Sequence, residues 1–496
     1  RILKAAAWAA RQGKNVQFMQ MTSFGCGPDA FLTDEIRNLL QLHGKTLTIL
    51  KIDDIDNLGS IKLRVRSVID SMKFSMQEHG NAENKVFIST PPFSKADRRR
   101  KIIAPFFTPF ISPLIPSLMR RAGYDVDSLP MSDTVSADFG LKYANNEICY
   151  PATLIVGDIM KAFKSGKYVP EDTAVIMTQT GGQCRASNYI SLIKRALTAA
   201  GYGEVPVISL SVGSGITNNQ PGLHINWAQI LRIVLVSLLY SDCIAKFYYA
   251  SVIREKEPGL AAHLRDHYLA EAVKAIDAND TSILWQCLHS AAEAFDNIVS
   301  DYSAPRVGVV GEIFLKFNPF AQKDLTTWLT EQGIEVIPPM LTDFFMQAFV
   351  NVKVNAENCL ERSRVPGPLI HLAYKIVKKH IRRANAIGSH FRYFTPIEDI
   401  FDEADEAKNV ISLCAQFGEG WLLPGEIMSM AKRGVTHVVS LQPFGCIANH
   451  IVSKGIERRI KQIYPHLNIL SLDFDSGVSD VNVRNRVLLF IDNLKN

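Results

Sequence analysis

Phe24-Gly25-Cys26 near the start of the chain and Phe444-Gly445-Cys446 near its end stand in the same surroundings. Each follows a β-type run, Val16 to Met21 and Val435 to Leu441, and each precedes a helical stretch. A shift of 420 positions superposes the two regions without a gap: Leu47, Ile49, Leu50, Asp53, Arg64 and Arg66 fall on Leu467, Ile469, Leu470, Asp473, Arg484 and Arg486. One supersecondary unit is therefore used twice, with a cysteine at the same corner each time. The later copy is preceded by a helix, Pro424 to Arg433, and by further strand and helix units, whereas the earlier one has only the helix Ile2 to Gln12 before it. Residues 1–80 are expected to be the second half of an α/β domain whose first half lies outside this chain.

The middle of the chain alternates in the same way. After a polar stretch from Gln77 to Asn84 come the strand-like Lys101 to Ala104, a helix from Ile111 to Arg121, a second strand-like run ending at Pro130, and a helix from Tyr150 to Lys164. Ala174 to Thr178, a glycine-rich loop, a helix from Ile190 to Ala200 and Val205 to Leu210 complete the block. Strands separated by 10 to 15 helical residues imply βαβ units on a parallel sheet. The fold class expected is α/β, with flavodoxin-like or Rossmann-like domains over 95–220 and 303–496. A helical insert over 221–302 bridges them, and the leading half-domain precedes both. Within the last domain, Arg306 to Glu312, the helix Lys323 to Gln332, Glu335 to Pro338, helical material from Phe344 to Lys379 and Val410 to Leu413 are the expected elements.

Bulk properties exclude several function classes. A net charge of +5 over 54 basic and 49 acidic residues is a small imbalance. The basic run around Arg98-Arg99-Arg100-Lys101 reads as a solvated surface, because no basic and aromatic residues interleave as nucleic-acid binding requires. The longest apolar stretch, Ile233 to Tyr240, falls well short of the roughly 20 residues that span a bilayer. The first residues lack a signal-peptide layout. Eight cysteines in 496 residues are too sparse for a disulfide scaffold and point to a reducing, cytoplasmic setting.

Four of these cysteines read as packing. Cys243, Cys287 and Cys359 sit in helical patterns and Cys414 ends an apolar strand-like run, where free cysteine serves as a small hydrophobe. Cys26, Cys149, Cys184 and Cys446 differ, each lying at a turn that starts a helix. The unpaired N–H groups and partial positive charge there favour thiolate, the form needed for metal ligation or nucleophilic chemistry. In parallel α/β domains such corners gather at the carboxyl edge of the sheet, so cysteines far apart in sequence can meet. The competing reading is four unconnected turn cysteines. There is no CxxC pair, so neither a zinc ribbon nor a ferredoxin motif is present. A thiol nucleophile needs a base, and His450, one helical turn after Cys446, fits a helix surface equally well. No phosphate-binding GxxxxGK[ST] occurs, and Ser211-Val212-Gly213-Ser214-Gly215 reads equally as an ordinary loop or an anion cradle. Gly418-Glu419-Gly420-Trp421 reads as a tight turn beside a packed tryptophan, with lining a pocket as the alternative.

Several longer motifs carry a resemblance. Asn145-Asn146-Glu147-Ile148-Cys149-Tyr150-Pro151, Gln179-Thr180-Gly181-Gly182-Gln183-Cys184-Arg185-Ala186-Ser187-Asn188-Tyr189, Gly418-Glu419-Gly420-Trp421 and Gln442-Pro443-Phe444-Gly445-Cys446-Ile447-Ala448-Asn449-His450 resemble the C-terminal, dehydratase-like region of the large fused 2-hydroxyacyl-CoA dehydratase activases. Ser23 to Gly27 and Gly140 to Tyr143 extend the likeness over essentially the whole chain. The resemblance implies a cytoplasmic protein of anaerobic bacteria, in which an ATP-hydrolysing activase domain drives an electron at low potential into a dehydratase-like part. It implies an iron–sulfur cluster, [4Fe–4S] or double-cubane, held by widely spaced cysteines. Cys149, Cys184 and Cys446 match that spacing, with separations of 35 and 262 residues, and Arg185 would balance the cluster's charge. ATP would bind only the activase domain, which this chain lacks.

The function expected on this basis is an iron–sulfur electron-accepting module within an ATP-dependent reductase or activator, its cluster lying between the two α/β domains. Its partners would be the activase domain and either a dehydratase protein or a second copy of the chain. Cys26 has two readings: a fourth ligand here, or a ligand of a cluster in the missing preceding module. The alternatives are a non-catalytic docking module that positions the activase on a dehydratase partner, and a zinc site.

Overall fold

A computed structural model describes residues 1–22, 26–52, 58–77, 90–144, 148–180, 184–211, 218–361, 363 and 365–495. Phe24-Gly25, Asp53, most of the polar stretch after Gln77, Asn145 to Glu147, Gly181 to Gln183 and Val212 to Gly215 lie outside the described residues. The fold is α/β, as the alternation predicts. Among the described residues ten strands form three sheets, and every strand pair within them is parallel.

The leading sheet has two strands, β1 (Met19–Thr22) and β2 (Thr48–Lys51). The middle sheet contains β3 (Lys101–Ala104), β4 (Val126–Ser128), β5 (Thr173–Gln179) and β6 (Val207–Ser211), in the order β4-β3-β5-β6. The last contains β7 (Arg306–Gly311), β8 (Glu335–Ile337), β9 (His437–Pro443) and β10 (Asn468–Phe474), in the order β10-β9-β7-β8. Numbered along the chain, both four-stranded sheets run 2-1-3-4. The winding therefore reverses between the first and third strands, the place where open α/β sheets expose a crevice at their carboxyl ends. The pair β1–β2 repeats the third and fourth strands of that plan.

The repeat holds at the first strand and the cysteine corner, but the second strand slides. Met19 pairs with Thr48, whereas Val439 pairs with Leu470, so the later copy is two residues longer between its strands. The helix arginines agree. Arg64 Nη1 donates to Ile49 O at 2.8 Å and Arg486 Nη2 to Ser471 O at 2.7 Å, which makes Arg486 the counterpart of Arg64 in place of Arg484. A slip of two leaves every side chain on its original face, so the ungapped superposition looked right while being shifted.

Packing brings the units together. Helix Tyr150–Lys164 is buried at 13 of its 15 residues and shares one core with both four-stranded units, including Val175, Val309 and Val439. It crosses helix Thr134–Tyr143 at backbone contact: a Cβ on Gly157 would lie 1.7 Å from Ser136 O, and one on Gly140 would lie 2.1 Å from Thr153 O. Only glycine permits that approach. Trp227–Ser251, Leu260–Asp277 and Thr281–Ile298 are three helices in succession between β6 and β7. Helices Leu341–Glu357 and Gly367–Gly388 from the last segment join the same core, which centres on Phe247, Phe295 and Phe391. The buried Lys45 closes the leading helix Ile2–Arg11 by donating to Ala9 O, Gly13 O and Val16 O at 2.6, 3.1 and 2.9 Å. Two expectations fail locally. Val410 to Leu413 forms turns in place of a strand, and Cys359 lies beyond its helix in an exposed left-handed turn. No described helix is long and apolar enough to cross a membrane.

Candidate cysteine site

Each of the three sheets sends one strand-to-helix corner toward one place. Cys26 follows β1, Cys184 follows β5 and Cys446 follows β9. Cys184 and Cys446 occupy the position before the first helical turn, as does Cys149 at the start of helix Tyr150–Lys164, and Cys26 lies two residues before helix Pro28–Leu42. Cys184 is thus a third use of the repeated corner. The shift that revealed the other two missed it because four residues separate Cys184 from the end of β5, against two between β9 and Cys446.

The four thiols are close enough to govern one another's ionisation. Cys26 and Cys446 are in hydrogen-bond contact, the charge of Cys26 bears on Cys149 and Cys184, and Cys184 bears on Cys446. Cys26 and Cys446 are buried, at 8% and 7% exposure. The Cys446 thiol donates to Cys26, and with the N–H groups of Ile447 and Gly27 and the charge of Arg185 this draws Cys26 down to about 6 against the opposing effect of burial. Cys446 rises correspondingly, first through that bond and then through burial, while Asn449 Nδ2 donates to its Sγ at 3.2 Å. Burial pushes Cys149 up to about 11, tempered by Tyr189 Oη 3.5 Å from its Sγ. Cys184 is pushed well up, by burial and then by Glu419.

Arg185 is 4% exposed and its charge reaches Cys26 and Cys149. It also pairs at 3.5 Å with the buried Asp34 on helix Pro28–Leu42, which Arg37 and Arg195 approach at 3.0 and 3.4 Å. Arg185 therefore binds the leading segment to the middle unit as well as facing the thiols. This contact bears on Cys26: the structure places it within this cysteine group.

Glu419 is the residue whose role the sequence left open. Gly418 and Gly420 hold left-handed conformations, at φ +62° and +47°. A Cβ on Gly418 would lie 3.7 Å from Cys184 Sγ, and one on Gly420 would strike Ala415 O at 2.1 Å. The turn lines the cysteine group and also buries Trp421, whose Nε1 donates to Asn351 Oδ1 at 2.8 Å. In the winding of the last unit Glu419 precedes the helix before β9, as Cys149 precedes the helix before β5. His450 turns away from any thiol role, its Nε2 lying 2.5 Å from Asp473 Oδ1 and its ring against Phe444. Cys243, Cys287, Cys359 and Cys414 stay outside the group, and all eight cysteines are free.

Four thiols, a buried guanidinium and an amide donor suit an anionic iron–sulfur group, which thiolates ligate and N–H donors stabilise. Asn188 Nδ2, four residues after Cys184 in the chain and 2% exposed, has no protein partner among the described residues. Among the described residues no three His, Cys, Asp or Glu side chains are placed to share a single metal ion. A zinc ion would need its sulfurs at about 2.3 Å from one centre, whereas a cluster interposes iron and sulfide between its ligands. No protein-family model matches the chain, and a search of the curated proteins finds no match.

Proposed function

We propose that this chain is an iron–sulfur electron-accepting module of the dehydratase-like kind, with Cys149, Cys184 and Cys446 as cluster ligands and Cys26 as the fourth thiol. The observation that carries the reading is the convergence of four free thiols, Cys26, Cys184 and Cys446 from the corners after β1, β5 and β9 and Cys149 from the start of helix Tyr150–Lys164. A bound cluster would supply one-electron storage at low potential. The chain's own contribution is to hold thiolate at Cys26, to set the positive charge of Arg185 against it, and to exclude water by burying the pair Cys26 and Cys446. The motif resemblance adds the setting: an ATP-driven activase domain as electron source, a dehydratase protein or second copy as partner, and an anaerobic cytoplasm.

Anaerobic reconstitution with iron and sulfide tests this. The expected product is brown, carries several irons and matching acid-labile sulfide per chain, and loses them when Cys149, Cys184 and Cys446 are replaced by serine. Colourless, iron-free protein would remove the reading. The contact between Cys26 and Cys446 favours one second reading, a two-electron dithiol–disulfide couple. It predicts loss of two free thiols on mild oxidation of iron-free protein, abolished in Cys26→Ser.

A further inference from the structure

Behind the cysteine site lies an excess of buried acid that cluster ligation does not use. Asp242, Glu312, Asp343, Glu403, Glu419 and Glu426 are each at most 7% exposed, and the ammonium groups buried among them are Lys246 and Lys316. Lys316 is committed to Glu426, at 2.9 and 3.3 Å from its two oxygens. Ionised carboxylates in a dry interior are costly unless paired, so six acids facing two ammonium groups and the Arg433 guanidinium are not all ionised together.

Three of these acids, Asp343, Glu403 and Glu426, line one small cavity of about 20 Å³, room for about one water molecule, which Lys246, Glu398 and Arg433 also border. Its half-exposed rim is the pair Arg433 Nε to Glu398 Oε1 at 3.1 Å. Glu403 Oε2 faces this space without a hydrogen-bond partner among the described residues, although the side chain is 4% exposed. An oxygen in that situation suits a protonated acid that trades its proton with a water molecule. From the cavity the line continues inward. Glu426 meets Lys316, whose backbone N–H donates to Glu312 O at 2.9 Å, and three successive N–H groups are divided between Glu312 and Glu419. Ile313 N donates to Glu419 at 2.5 Å, and Phe314 N and Leu315 N donate to Glu312 at 3.0 Å each.

We infer that Asp343, Glu403 and Glu426 form a proton store that compensates charge arriving at the cysteine site, joined to it through Lys316 beside Glu426 and through Glu419 beside Cys184. When the site takes one electron from an external low-potential one-electron donor, one proton from bulk solvent passes by way of the cavity to a cavity carboxylate that is still ionised, and oxidation returns it to solvent. The inference rests on the iron–sulfur reading for the electron and on the cavity alone for the proton. Local electrostatics agree. Burial holds Glu403 well above the carboxylate range, with Asp343, Glu426 and Glu398 adding and Arg433 opposing. Burial also lifts Asp343 to about 8, with Glu426 and Asp242 adding and Lys246 and Lys316 opposing, and it raises Glu426 against Lys316.

Two readouts on the full chain test this. The infrared carbonyl band of a protonated carboxylic acid should persist above neutral pH and diminish in Glu403→Gln, with Asp343→Asn, on a different helix, as the second variant. Reduction of the reconstituted protein in weakly buffered dye solution should take up about one proton per electron, falling by about half or more in either variant. Absence of the band, or a proton count unchanged by both variants, overturns the store. A protein that binds no iron yet shows the band and its loss supports the store and overturns the iron–sulfur reading instead.

Discussion

The middle and last sheets share the strand order 2-1-3-4 and bring the same two corners to their carboxyl edges, yet they furnish those corners differently. The middle unit offers two thiols, Cys149 and Cys184. The last offers one thiol and one carboxylate, Cys446 and Glu419, with Glu312, Lys316 and Glu426 behind them. One winding thus supplies a soft-ligand edge and an acid edge facing the same space. The leading segment sides with the thiols through Cys26 and is fastened by Asp34 to Arg185. The difference teaches that the topology fixes where the chemistry sits, and the corner residue fixes what it is.

The sharpest way to break the comparison is on the acid edge. Lys316→Met removes the ammonium from among Glu426, Glu419 and Glu312 and leaves buried carboxylates without their counter-ion, so denaturant unfolding should report a loss of about 3–5 kcal/mol. On the thiol edge, Cys149→Ser in metal-free protein should cost only about 1 kcal/mol, since its Sγ makes one weak contact with Tyr189 Oη. Equal losses at the two edges would erase the distinction.

pH sharpens it further. Burial lifts Glu312 and Asp343 to about 8. Folded protein then binds more protons than unfolded chain between the ordinary carboxylate range and about 8, so stability falls as pH rises through that window. Glu312→Gln or Asp343→Asn should flatten the fall, as read from unfolding midpoints across that range. Cys26 works oppositely. Its thiol is drawn down to about 6 by the donation from Cys446, so its stabilising contribution is present above the unfolded thiol range near 9 and is lost as pH drops through about 6. Thiolate absorbance of metal-free protein should show one cysteine titrating near 6, and Cys446→Ala should move it upward by one unit or more, about 1.4 kcal/mol or more in the ionisation equilibrium. The smallest effect belongs to the frame: Asp133→Ala removes the side-chain cap on Ser136 N, 2.9 Å away, and should cost about 1 kcal/mol without altering either edge.

Much of this was legible in the residues. Helix Tyr150–Lys164 and strand Lys101–Ala104 fall where the apolar spacing put them, and the four corner cysteines were separable from Cys243 and Cys287 by their turns alone. What escaped has physical causes. The two-residue slip between the copies preserves side-chain faces and so leaves no trace in the pattern. The kinship of Cys184 with Cys26 and Cys446 was hidden by a longer loop. Nothing in the local pattern marks Glu403, Asp343 and Lys246, because their burial comes from helices distant in sequence closing over them. The reach of Cys26 into the group depends on Asp34 meeting Arg185, a contact across 151 positions that no local spacing announces.

The central claim is that four cysteines from three sheets serve one cluster. Anomalous diffraction at the iron edge from crystals of anaerobically reconstituted protein tests it most directly. The account predicts iron peaks enclosed by Cys26, Cys149, Cys184 and Cys446, beside Arg185 and the Gly418 turn. Iron bound elsewhere, or a reconstituted crystal with no iron among these four sulfurs, would contradict it.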